Sequence, residues 1–170
     1  MVSLSAAQTG ASLSAPLLLA VGAVTGLVGA LLMDWPMSRQ PDGFVPASIA
    51  TAIVTRQSVD AVRLPETLVL HHLAGVLTGL IYAVLVVGAG AVMPTVVPAV
   101  GFNLLAHLFA VLGVVGFIYT FFAHFVLLRA GGQTYEEQAT AVRGQWLRSA
   151  LVFGATMLVG VPLLVGAIPR

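Results

Sequence analysis

From Pro16 to Met33 the chain runs PLLLAVGAVTGLVGALLM, eighteen residues without one charged side chain, and comparably apolar runs recur three times before the C-terminus. A run of that length carries an α-helix across most of a bilayer's hydrocarbon, where only a segment that satisfies its own backbone hydrogen bonds is stable. The feature predicts an all-α polytopic membrane protein, a four-helix transmembrane bundle forming a single domain over residues 1–170. Composition argues against the soluble alternative. Apolar residues are 59% of the chain and charged residues 8%, whereas a soluble domain carries roughly 25% charged residues to keep its surface wet.

The spans are expected at about 16–37, 66–90, 99–128 and 142–165. The first fifteen residues lack the basic stretch of a secretory signal and read as a short tail. In the first loop Pro46 opens a segment with Ile49, Ile53 and Val54 at near-helical spacing, which predicts a short interfacial helix ending at Arg56 and Gln57. Arg129 and the Gly131–Gly132 pair are expected to close the third span. Thr134 and Glu137 have capping-box spacing and start the last helix near Tyr135, while Pro162 is expected to kink or end it.

Lipid supplies no hydrophobic drive for helix association, so small residues that admit close backbone approach matter more than in water. Gly22 with Gly26 and Gly75 with Gly79 have GxxxG spacing, and Gly113 with Gly116 give the third span a small face. Together they predict a tight bundle.

Arg39, Arg56 and Arg63 fall between spans one and two, and Arg129, Arg143 and Arg148 between or beside spans three and four. The middle loop has none. The positive-inside rule then puts the arginine-bearing loops in the cytoplasm and both termini outside the plasma membrane, with Trp35 and Trp146 as an aromatic belt.

Seven arginines against six acidic residues, with no basic run, argue against a nucleic acid partner. Cysteine and lysine are absent, which removes disulfides, thiolate catalysis, Cys-metal ligation and Schiff-base chemistry. No nucleophile triad, HExxH motif, P-loop or dinucleotide fingerprint occurs, so no catalytic residue is assigned and an enzyme is not expected.

Up-down topology collects Asp34, Glu66, His71, His72, His124, Glu136, Glu137 and Arg143 on the arginine-bearing side. His71 or His72 facing His124 at matching depth would ligate a b-type haem, and with Asp34 or Glu66 a divalent metal. Interfacial histidines more often bond helix carbonyls, and that reading is preferred. His71, Gly75, Thr78 and Tyr82 form a polar or small stripe, either a solute or proton path or, as preferred, an interhelical seam. Asn103 and His107 lie one turn apart within span three and are expected to form a buried hydrogen-bonded pair.

The segment HHLAGVLTGLIYAVL, after a glycine-rich first span ending in Met33–Asp34, resembles the YagU-like four-span inner-membrane proteins. In that group a histidine opens the second span ahead of small residues and an aromatic. This chain departs in its longer first loop and in lacking a tryptophan in span three. The resemblance implies the architecture and no activity. The function expected from the residues is a noncatalytic subunit or scaffold that contacts the lipid bilayer, with homo-oligomeric or partner-subunit contacts through its glycine faces and loops. The alternatives are the haem- or metal-binding redox protein and the solute or proton pathway described above.

Overall fold

Pro16 occupies the first turn of α1 (Ala15–Ser38), where its missing N–H leaves no helical bond unmade. The computed structural model describes residues 14–41, 43–94, 98–99, 102–126 and 132–168, with 98, 99, 102 and 132–138 described in backbone alone. The tail at 1–13, Arg129 and Gly131 lie outside these residues, and so does the side-chain pairing of Thr134 with Glu137.

The interfacial helix α2 (Val45–Thr55) forms where Pro46 and its apolar spacing predict it. It stops at Arg56, whose backbone is left-handed at φ 56°, while Gln57 N–H donates to the Ala52 carbonyl at 3.0 Å. A single 3₁₀ turn (Val59–Ala61) leads to α3 (Leu64–Val92). Glu66 closes the N-terminus of α3 by accepting from the Arg63 backbone N–H at 3.4 Å and from Arg63 Nε at 2.8 Å.

The third span departs from expectation at its start. Ala99, Phe102 and Asn103 are not helical: Pro98–Ala99 pairs antiparallel with Phe102–Asn103, and α4 begins at Leu104 and runs to Thr120. Asn103 sets that boundary, its Oδ1 accepting from Leu105 N–H at 3.0 Å. The last described residues of the span, Phe121–Val126, are π-helical. Gly132, expected to help close the third span, is itself helical and belongs to the last helix, α5 (Gly132–Ala167). That helix continues through Pro162.

Four helices are long and apolar enough to cross a membrane: Ala15–Ser38, Leu64–Val92, Leu104–Val126 and Ala139–Ala167. Even the shortest, 23 residues, is about 34 Å long at 1.5 Å per residue, more than the hydrocarbon thickness. The chain is a multi-pass membrane protein. The spans form a ring in which α1 packs on α3 and α5, and α4 closes it by packing on the same two. α2 lies across the open end, mainly against α3.

The α1–α3 contact is the tightest. A side chain at Gly22 would strike the Gly79 carbonyl and one at Gly26 the Gly75 carbonyl. These two GxxxG pairs therefore face each other inside one chain and are not free to meet a partner. The expected small face of span three is different: Gly113 meets only Leu85 at 3.6 Å, and Gly116 faces open space. At α5 the approach is governed instead by Gly154 against Val115 and Gly160 against Thr25.

Two buried clusters fill the bundle. One, around Tyr82, Val114, Phe153 and Met157, joins the four spans. The other joins Ile49 of α2 to Ala123, Val126, Val142 and Trp146. Trp146, expected in the interfacial belt, is only 5% exposed because this second cluster encloses it. Trp35 is 63% exposed, with the Arg39 guanidinium 4.7 Å over its ring.

Candidate functional site

The glycine register of α1 on α3 brings the end of α1 to the start of α3. One turn beyond the Gly26–Gly75 contact, His71 Nε2 donates to the Ala30 carbonyl at 3.2 Å. A carbonyl only accepts, so this nitrogen carries the ring proton. One turn further, Asp34 Oδ2 is 2.7 Å from His72 Nε2. Asp34 Oδ1 is buried and lies 3.5 Å from His71 Nε2, too far for a second good hydrogen bond. Asp34, His71 and His72 thus form one constellation on the arginine-bearing side. Asp34 and His72 are each about a quarter exposed and His71 is nearly buried.

The other sequence candidates fall elsewhere. Glu66 is engaged by Arg63 in the helix cap described above. His124 is exposed on the π-helical segment, its ring edge-on to Tyr119 with centroids 6.2 Å apart. Among the described residues, no three His, Asp or Glu side chains are grouped to hold a metal ion.

His71 also borders a cavity of about 570 Å³. Its walls come from the end of α1, the inner face of α2, the first turns of α3, the π-helical segment and α5. The wider winding of 121–126 carries Phe121, Phe122 and Val126 into that wall. The lining is almost wholly apolar, with His71, Trp146 and Ser149 among the few residues that bear a polar group. Volume and lining are those of a small-molecule pocket. Its rim includes Val54 and Leu77, 64% and 60% exposed, so it opens sideways toward lipid.

A second histidine centre lies deeper. Tyr82 and His107 are 1% and 0% exposed. His107 Nε2 donates to the Leu158 carbonyl at 3.2 Å, which leaves Nδ1 to accept from the Tyr82 hydroxyl at 2.6 Å. Leu158 is four residues before Pro162, the residue that has no N–H to return to that carbonyl. His107 supplies the missing donor, which is why α5 passes through Pro162 without breaking. Asn103 and His107 therefore take separate partners: Asn103 Nδ2 ties the two ends of the α3–α4 loop by donating to the Met93 and Pro94 carbonyls at 3.3 and 3.2 Å. Thr78 is half-buried between the two centres.

Sequence reasoning missed the cavity, the enclosure of Trp146 and the Pro162–Leu158–His107 relation. The last had a signal, since a proline within an apolar span leaves one identifiable carbonyl in need of a donor. The chain matches no protein family, no curated protein and no solved structure. The YagU-like likeness accordingly carries no function to this chain.

Proposed function

We propose that this is a noncatalytic membrane protein that holds a lipid-soluble small molecule in the lateral cavity beneath α2. The observation that carries the reading is the cavity of about 570 Å³, almost wholly apolar and bordered by His71 of the Asp34–His71–His72 constellation. A polar or charged solute would lose its hydration there without gaining partners, whereas a membrane-soluble molecule can enter between helices from the bilayer. On the positive-inside reading the cavity belongs to the cytoplasmic leaflet, with Asp34 and His72 beside the His71 that borders it.

The reading keeps the noncatalytic role expected from the sequence and changes its basis. The glycine pairs that would have served a scaffold are consumed between α1 and α3. Binding is tested by extracting the protein purified in mild detergent and measuring retained organic molecules by mass spectrometry. Ala50, which lines the cavity from α2, is replaced by Phe to fill it. Retention should fall severalfold in Ala50→Phe at unchanged helicity and elution volume. Equal retention in both proteins would defeat the reading.

A further inference from the structure

Among the described residues, the side chains on the cavity wall that carry nitrogen or oxygen are His71, Ser149 and Trp146. The Trp146 indole nitrogen is sealed behind the wall and meets no occupant. His71 is placed differently. It stands where two faces of α3 meet, Gly75 and Gly79 turning to α1, and Leu70, Ala74 and Leu77 to the cavity. Its Nε2–H is taken by the Ala30 carbonyl, so Nδ1 of the neutral ring is a bare lone pair that accepts and does not donate. Among the described residues Nδ1 has no donor, and unlike the neighbouring Asp34 Oδ1 it is not sealed off. The Ser149 hydroxyl on α5 is also unsealed and without a partner among these residues.

These groups decide the chemistry of an occupant. An unpaired lone pair on an apolar wall is satisfied by an O–H and repels the oxygen of a carbonyl or ether. Among the described residues no arginine lines the cavity, and the Asp34 carboxylate lies 3.5 Å from His71 Nε2. A carboxylate or phosphate headgroup would therefore be repelled rather than neutralised. An ammonium would shed its hydration for a single lone pair.

From these features we propose that the cavity takes a lipid-soluble neutral alcohol, its O–H donating to His71 Nδ1. The hydrocarbon fills the apolar space and passes over the exposed rim at Val54 and Leu77 into the bilayer. The proposal rests on the lipid-soluble-ligand reading above and names the class of ligand for that site.

The test uses the full chain in phosphatidylcholine nanodiscs at about pH 8, where an ordinary histidine is neutral. The probes are dodecanol, its methyl ether, which keeps the oxygen and loses the donor, and dioctanoylglycerol. Filling of the cavity is followed by Trp146 emission in Trp35→Phe protein, and the contact itself by nitrogen NMR of protein isotope-labelled at its four histidines. The His71 signals are assigned by their absence from His71→Gln protein. Should that variant fail to fold, single replacements of His72 and His124 assign them by elimination, since His107 Nδ1 is already held by Tyr82. Dodecanol should change the emission saturably and shift the His71 Nδ1 signal upfield, and the ether should bind about tenfold more weakly, the value of one hydrogen bond. Equal affinity of alcohol and ether, or an unmoved Nδ1 signal at saturation, overturns the proposal and leaves the lipid-soluble-ligand reading intact. Tighter binding of dioctanoylglycerol than of dodecanol upholds the proposal with a glyceride as the alcohol; the reverse order upholds it with a single-chain alcohol. No saturable change with any probe defeats both the proposal and the reading beneath it.

Discussion

His71 and His107 make the same first bond and have opposite surroundings. Each gives its Nε2–H to a backbone carbonyl of another span at 3.2 Å. His107 is fully buried, its second nitrogen is taken by Tyr82, and the carbonyl it reaches has lost its own helical donor to Pro162. His71 borders a cavity, stands beside a carboxylate, and bonds a carbonyl that lies in an ordinary stretch of helix. Inside lipid a saturated network holds helices together, whereas polar groups beside unfilled apolar space are where a ligand would be met.

Four substitutions test that contrast. The largest effect is expected from His107→Ala, which strands the Tyr82 hydroxyl and the Leu158 carbonyl at once and should cost about 2–4 kcal/mol in denaturant unfolding in detergent micelles. His71→Ala, measured in the same way, should cost well under half as much; equal costs would break the comparison. Next, Pro162→Ala returns an N–H to Leu158, so in that background His107→Ala should be milder by about 1 kcal/mol. Strict additivity in this double-mutant cycle would remove Pro162 from the explanation. The smallest effect belongs to Asp34→Asn, which breaks a quarter-exposed pair with His72 and should change unfolding free energy by less than about 1 kcal/mol. A loss as large as that of His107→Ala would make the Asp34 constellation structural.

Much of the fold was legible because it follows from short-range sums. Span lengths come from local hydropathy, and the α2 start comes from Pro46 ahead of an apolar stripe. The glycine faces of α1 and α3 were legible as spacing, because a four-residue repeat places small residues on one helical face wherever that face turns. That the two faces meet each other was not. The start of α4 was misplaced because an apolar stretch up to Asn103 has the hydropathy of a span but not its backbone, and the Asn103 cap decides the difference. Of the candidate site, the sequence singled out Asp34, His71 and His72 as sharing one side of the membrane. It also grouped Glu66 and His124 with them, since topology assigns a side and says nothing about rotation about the helix axis.

What the sequence by itself determined is the number of spans, their apolar character and the presence of a glycine face on each of the first two, all properties of local periodicity and of transfer into lipid. What only the tertiary structure decided is partnership. Tyr82 rather than Asn103 meets His107, Trp146 is enclosed rather than interfacial, and a cavity remains where α2 bridges the ends of the spans. The physical reason is that these outcomes depend on the rotation and offset of helices that are distant in sequence. Those are set by the summed packing of every contact at once, so no local pattern carries them.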